Sequence, residues 1–189
     1  VIHKQDNTGL LSATEIEDQL EVLNSSFPGY EFQYAAVIFH EDDSLFDWGT
    51  WSTSEYDQWV IDPEHYLNVF TGDGTNTGLY GIVAWGDPTT PTPGSQAVDF
   101  VFVTYQTFPG GTADPGASGN ETWGEGHTPV HEVGHYFTLK HTFENGCASK
   151  ASAIPDTITD DVREWFDSEE VGDVPPSCTG ESYDPVDNP

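Results

Sequence analysis

Residues 131–141 read His-Glu-Val-Gly-His-Tyr-Phe-Thr-Leu-Lys-His, and three of these side chains are imidazoles. On a helix, His131 and His135 stand one turn apart on a single face, so both rings can reach one Zn²⁺. Glu132 lies beside that face, where its carboxylate can take a proton from a water held by the metal. His141 completes a three-nitrogen set if the helix stops and the chain bends back. Three protein ligands leave one coordination position open, as in catalytic zinc sites, whereas structural sites use four. Coincidence is a poor rival reading, because each of four residues would have to fall at its required offset. His127 precedes His131 by one helical turn, but Pro129 predicts a helix that starts after His127, which excludes it from the set. His3, His40 and His65 lie in or beside strands and read as structural or surface histidines.

The elements that must position this motif are legible upstream. Ser12-Ala13-Thr14-Glu15 is a capping box, followed by Ile16, Leu20, Leu23 and Phe27 at helical spacing. That pattern predicts a helix from Ala13 to Ser26 with one buried stripe, ended by Pro28-Gly29. Residues 31–39 (EFQYAAVIF) predict a strand, and Ser54 to Trp59 a short helix behind a second capping box. Tyr66 to Thr71, Leu79 to Trp85 and Val98 to Tyr105 predict three further strands. Residues 87–95 and 109–126 are Pro-, Gly-, Ser- and Thr-rich loops, the second long enough to be functional. A helix is expected from Thr128, and another over Ile158 to Ser168 in an otherwise irregular tail. This order is that of an α/β (α+β) fold, a mixed sheet with helices packed against it, and not of a bundle or a sandwich. The boundaries expected are residues 1–141 for a sheet-and-helix subdomain carrying the motif and 142–189 for a short irregular one.

Composition narrows the partners. Among 189 residues, 33 are acidic and 4 basic, a formal net charge of −29. Clustered Lys and Arg, which phosphate binding needs, are therefore missing, and neither nucleic acid nor an anionic membrane is an expected partner. No apolar run approaches the length of a membrane span. Hydrophobic residues make up only 35%, but 6 Trp, 8 Tyr and 11 Phe supply enough burial for a packed core. Val1 in place of Met predicts a mature chain whose leader has been removed. Cys147 and Cys178 fit one disulfide, and Asn24 and Asn120 stand in glycosylation sequons. Together these favour a secreted, extracellular protein.

The motif and its surroundings resemble the pappalysins, a branch of the metzincin zinc endopeptidases, and especially their secreted fungal members. Residues 131–135 followed by His141-Thr142-Phe143 and Cys147 are similar to that family's most specific signature. The opening stretch through Phe27, Glu55-Tyr56, Tyr66-Leu67-Asn68-Val69, Leu79-Tyr80-Gly81 and Asp184-Pro185-Val186-Asp187-Asn188 resemble further landmarks along nearly the whole chain. The resemblance implies a metzincin fold, a twisted sheet with two main helices above a small C-terminal lobe. It implies one catalytic Zn²⁺ on His131, His135 and His141, with Glu132 as general base. It implies a protein or peptide substrate lying antiparallel to an edge strand, for which residues 79–85 are the candidate. It also implies structural Ca²⁺ near Asp156-Thr157; the acidic clusters at 41–43 and 160–161 are weaker candidates. A monomer is expected.

Two departures from the resemblance bear on the site. The family carries Gly where this chain has Thr138, at the sharp turn after the helix. A left-handed backbone costs Thr about 1–2 kcal/mol relative to Gly, so either another residue takes the turn or strain is accepted. The chain also contains no Met, so the family's Met-turn has no counterpart before Pro189. Because Cys147 and Cys178 match the disulfide that precedes that turn, and the other family pair is missing, the short form is expected to be genuine. The alternative from another class is a secreted zinc-binding recognition protein, non-proteolytic, on a metzincin scaffold.

Overall fold

A computed structural model of the chain describes residues 1–48, 56, 58–78, 80–84, 100–113 and 124–139. The element order is β1 (Ile2–His3), α1 (Ala13–Ser26), β2 (His40–Glu41), α2 (Asp43–Phe46), β3 (Val69–Gly72), β4 (Gly81–Ala84), β5 (Phe100–Thr104) and α3 (His127–Tyr136). The chain divides into two compact units, Val1–Phe137 and Thr138–Pro189. Only Thr138 and Leu139 of the second are among the described residues.

β5 organises the first unit. It pairs in parallel with β3 and antiparallel with β4, giving a mixed sheet of order β3-β5-β4. All five of its residues are buried. Side chains alternate across a strand, and β5 uses both faces. Phe100 and Phe102 join Ile2, Leu45, Phe46, Trp48 and Tyr56 on one side. Val101 and Val103 join Leu11, Phe108 and Tyr136 on the other. The aromatic side is tightly interlocked: Trp48 lies 4.4 Å from Phe102, and Tyr56 stacks 5.4 Å from Phe100. The Tyr56 hydroxyl donates to the Leu45 carbonyl at 3.0 Å, which satisfies its one polar atom in a fully buried position.

α1 forms as its capping box predicts. The Ser12 hydroxyl accepts from the Glu15 N–H, and the Glu15 carboxylate accepts from the Ser12 N–H at 2.8 Å. Leu23 packs against Val130 and Val133 of α3, so the two long helices share one apolar seam over the valine side of the sheet.

One expectation is corrected. Residues 31–39 form no strand and bend at Ala35; strand pairing in this region is confined to His40–Glu41. The reason is the partner. β1 offers only Ile2 and His3, paired in parallel with His40 and Glu41, so the ladder has nowhere to continue. Upstream of the second capping box the chain also forms α2, seeded by Asp42, whose carboxylate accepts from the N–H groups of Ser44 and Leu45. The Asp42 carboxylate, a weak calcium candidate by sequence, thus serves as a helix cap. Residues 54, 55 and 57 of the short helix expected near the second capping box, and the expected helix at 158–168, lie outside the described residues.

Candidate metal centre

α3 begins where it does because of Gly126 and Gln19. Gly126 has φ +83°, and a Cβ there would stand 2.8 Å from Gln19 Oε1 and 3.1 Å from Pro109 Cγ. Backbone sign and space both demand glycine. Its N–H donates to the Thr107 carbonyl at 3.0 Å, and its carbonyl accepts from Gln19 Nε2 at 3.0 Å. Gln19 is buried in α1 for this purpose. Pro129 is tolerated because it sits in the first turn, where backbone N–H groups have no helical partner. The helix therefore starts at His127 and not after it; His127 itself is exposed.

Val130, Val133 and Tyr136 lock the buried face of α3 against α1 and the sheet. His131 and His135 consequently share the half-buried flank. Their Nε2 atoms converge to 2.9 Å, with ring centroids 4.4 Å apart and planes at 83°. Two nitrogens bound to one tetrahedral Zn²⁺ at ~2.0–2.1 Å stand about 3.3 Å apart, so this pair needs only a slight opening to chelate.

Glu132 lies between the helix and β4, 6% exposed. Burial pushes its carboxyl up to about 7. A cation beside it would act in the opposite sense and favour the ionised form. The residues present therefore fit a metal: two converging imidazole nitrogens, and a buried carboxyl next to them that a cation would stabilise. Among the described residues no group of three or more His, Cys, Asp or Glu side chains is arranged to hold a metal ion. His141, the third ligand expected from sequence, lies outside them, as do Cys147, Cys178, Asn120 and Asp156.

The helix ends at Phe137, whose N–H donates to the Val133 carbonyl at 3.1 Å. Thr138 then takes φ +70°, so it is Thr138 that adopts the left-handed turn. Of the two alternatives open in the sequence, strain at this residue is the one realised. Asn24, a sequon residue, has its amide engaged: Nδ2 donates to the Phe32 carbonyl at 3.1 Å, and Oδ1 accepts from the Phe32 N–H at 2.6 Å.

β4 is the open edge of its sheet among the described residues. The Thr104 N–H donates to the Tyr80 carbonyl at 2.8 Å, which makes that couple a hydrogen-bonded pair. Antiparallel pairs alternate, and the register sets Gly81 opposite Val103 and Val83 opposite Val101. Gly81 and Val83 therefore turn their N–H and C=O groups away from β5. The sequence singled out this stretch as an edge; it carried no sign that Gly81 lies against Glu132, or that Gln19 holds the start of α3.

The family model for pregnancy-associated plasma protein-A (peptidase M43) matches residues 52–184. An extracellular metalloprotease of Podospora anserina is 31% identical over 163 residues, 79% of this chain and 49% of that protein. One from Colletotrichum graminicola is 30% identical over 191 residues, covering 95% of this chain and 61% of that protein. The chain spans about half the length of most of the curated relatives it matches. Mature mirolysin of Tannerella forsythia, solved with a cleaved peptide, superposes with a TM-score of 0.54 at 19% identity, covering 82% of this chain and 68% of that one. This last likeness is one of fold, and it agrees with the mixed α+β metzincin-type architecture expected from the sequence.

Proposed function

Because the chain belongs to the peptidase M43 family of pregnancy-associated plasma protein-A, we propose that it is a secreted zinc endopeptidase whose reacting groups gather between α3 and the open edge of β4. The observation that carries this reading is the convergence of His131 and His135 Nε2 beside the buried carboxyl of Glu132. His131 and His135 would hold the metal, with His141 as the third ligand that the motif supplies. Zn²⁺, when bound, supplies a Lewis acid that polarises the scissile carbonyl and acidifies water.

The chain's own residues do the rest. The two imidazoles would bind the metal through their Nε2 atoms as neutral rings. Glu132 accepts the proton of the attacking water at its carboxylate and returns it to the leaving amine. Its burial between α3 and β4 excludes bulk water from that transfer. The outward N–H and C=O groups of Gly81 and Val83 can pair with an extended peptide laid antiparallel along β4, fixing its register by main-chain hydrogen bonds. An extracellular setting is supported by the names of the relatives, by Cys147 and Cys178 as one disulfide, and by the sequons. Structural Ca²⁺ near Asp156, the monomeric state, and a boundary between residues 1–141 and 142–189 belong to the same proposal.

The test is a casein digest of the chain with and without a chelator, alongside metal analysis. Cleavage that stops as about one Zn²⁺ per chain is withdrawn, and returns when zinc is restored, is the expected result. A zinc-loaded protein that leaves casein intact would contradict the endopeptidase and favour the recognition protein.

A further inference from the structure

Gly81 is where the edge strand and the active helix meet. Its partner across the ladder is Val103, and directly opposed residues share a face. The neighbour two residues on, Val83, packs on that same face with Val101, Val103 and Tyr136. The α-carbon of Gly81 therefore faces α3, and what it faces there is Glu132. A Cβ built on Gly81 would overlap Glu132 Cγ, and would stand 2.6 Å from Oε1 and 2.8 Å from Cδ.

The backbone does not explain this glycine. Gly81 is not among the glycines with positive φ, so any L-residue could adopt its conformation. Glycine also weakens a strand interior, where a side chain would otherwise pack. The space is what glycine provides, and the three atoms nearest to it all belong to Glu132. Glu132 is 6% exposed and sits mid-helix between Val130 and Val133, both buried, so its carboxyl has little freedom to move elsewhere.

We propose that Gly81 is the positioning residue for Glu132: the missing Cβ on the edge strand is what lets the carboxyl lie between α3 and β4. The same residue turns its N–H and C=O to the open edge, so the peptide ladder and the base are referenced to one point of β4. The catalytic consequence rests on the endopeptidase reading; the packing relation does not.

The experiment uses the full chain in four forms: wild type, Gly81→Ala, Glu132→Ala and the double variant, each melted without metal. Gly81→Ala is expected to lower the midpoint by several degrees in the wild-type background and to leave it unchanged or raised in the Glu132→Ala background. If Gly81→Ala alone fails to fold while the double variant folds, the result is the same in stronger form. Equal shifts in both backgrounds, or a double variant as unfolded as Gly81→Ala, would overturn the proposal. With zinc and a fluorogenic peptide, Gly81→Ala should lose about 100-fold in kcat, the scale of an ångström's misplacement. KM and zinc content should hold, which separates a displaced carboxyl from a lost metal site. Wild-type kcat in Gly81→Ala would likewise overturn it. A wild-type chain that cleaves nothing would sink the endopeptidase reading alone, since the melting comparison still decides the packing relation.

Discussion

β5 and residues 31–39 are both apolar stretches that the sequence marks as strands, and only one of them is. β5 lies between β3 and β4, and its residues from Phe100 to Val103 are at most 1% exposed. Residues 31–39 leave Tyr34 52%, Ile38 53% and Phe39 49% exposed. Along this stretch Tyr34, Val37 and Phe39 line only a shallow apolar hollow beside α1. The difference is one of strand partners: β5 has a strand on each side, whereas among the described residues the strand beside the other segment is two-residue β1, which pairs with His40 and Glu41 just past its end. Hydrophobic pattern proposes a strand, and a neighbour of matching length makes it one.

The contrast has a graded set of consequences. Phe102→Ala should cost about 3–5 kcal/mol in urea unfolding, because the ring is enclosed by Trp48, Tyr56 and Phe46 and its removal leaves a cavity. A loss below 1 kcal/mol would mean that β5 is not the organising strand.

Next comes the charge buried beside that strand. Burial raises the Glu132 carboxyl from its ordinary 4.5 to about 7. Between those values the native chain holds a proton that the unfolded chain has lost, so this group's contribution lowers stability as pH rises across the window. Above the window the penalty is complete. In metal-free protein, Glu132→Gln should therefore melt higher than wild type at pH 8 and equally at pH 4. An advantage that grows toward acid would contradict the burial of this side chain.

A smaller gain is expected at the end of α3. Thr138 holds φ +70°, and Thr138→Gly should stabilise by about 1 kcal/mol in the same assay, relief of strain exceeding the entropy that glycine adds to the unfolded chain. At the bottom of the scale, Ile38→Ser should stay within about 0.5 kcal/mol, as exposed positions do. A cost approaching that of Phe102→Ala would show that the outer segment is covered in solution, and the comparison with β5 would fail.

What was legible in the sequence follows the same division. Local signals were reliable: the capping box gave the bounds of α1, and the cores of β3, β4 and β5 fell within the expected apolar runs. The spacing of His131 and His135 anticipated their convergence, because four residues on a helix are one turn. α2 was missed because its signal, Asp42 as a cap, was hidden in an acidic run that also suggests a cation. Gln19 and Gly81 were missed for a different reason. A polar residue in a helix and a glycine in a strand look unremarkable until distant segments are brought onto them, Gly126 in one case and Glu132 in the other.

The central claim is that α3 presents two zinc-binding imidazoles and a separate proton-accepting carboxylate. Glu132→Gln tests it most directly, with zinc content and peptide cleavage measured on the same preparation. About one Zn²⁺ per chain, with cleavage lost by a thousandfold or more as expected when the general base and its charge are both removed, is the predicted result. Cleavage at the wild-type rate would contradict the role of Glu132, and loss of the zinc together with the carboxylate would contradict the separation of binding from proton transfer.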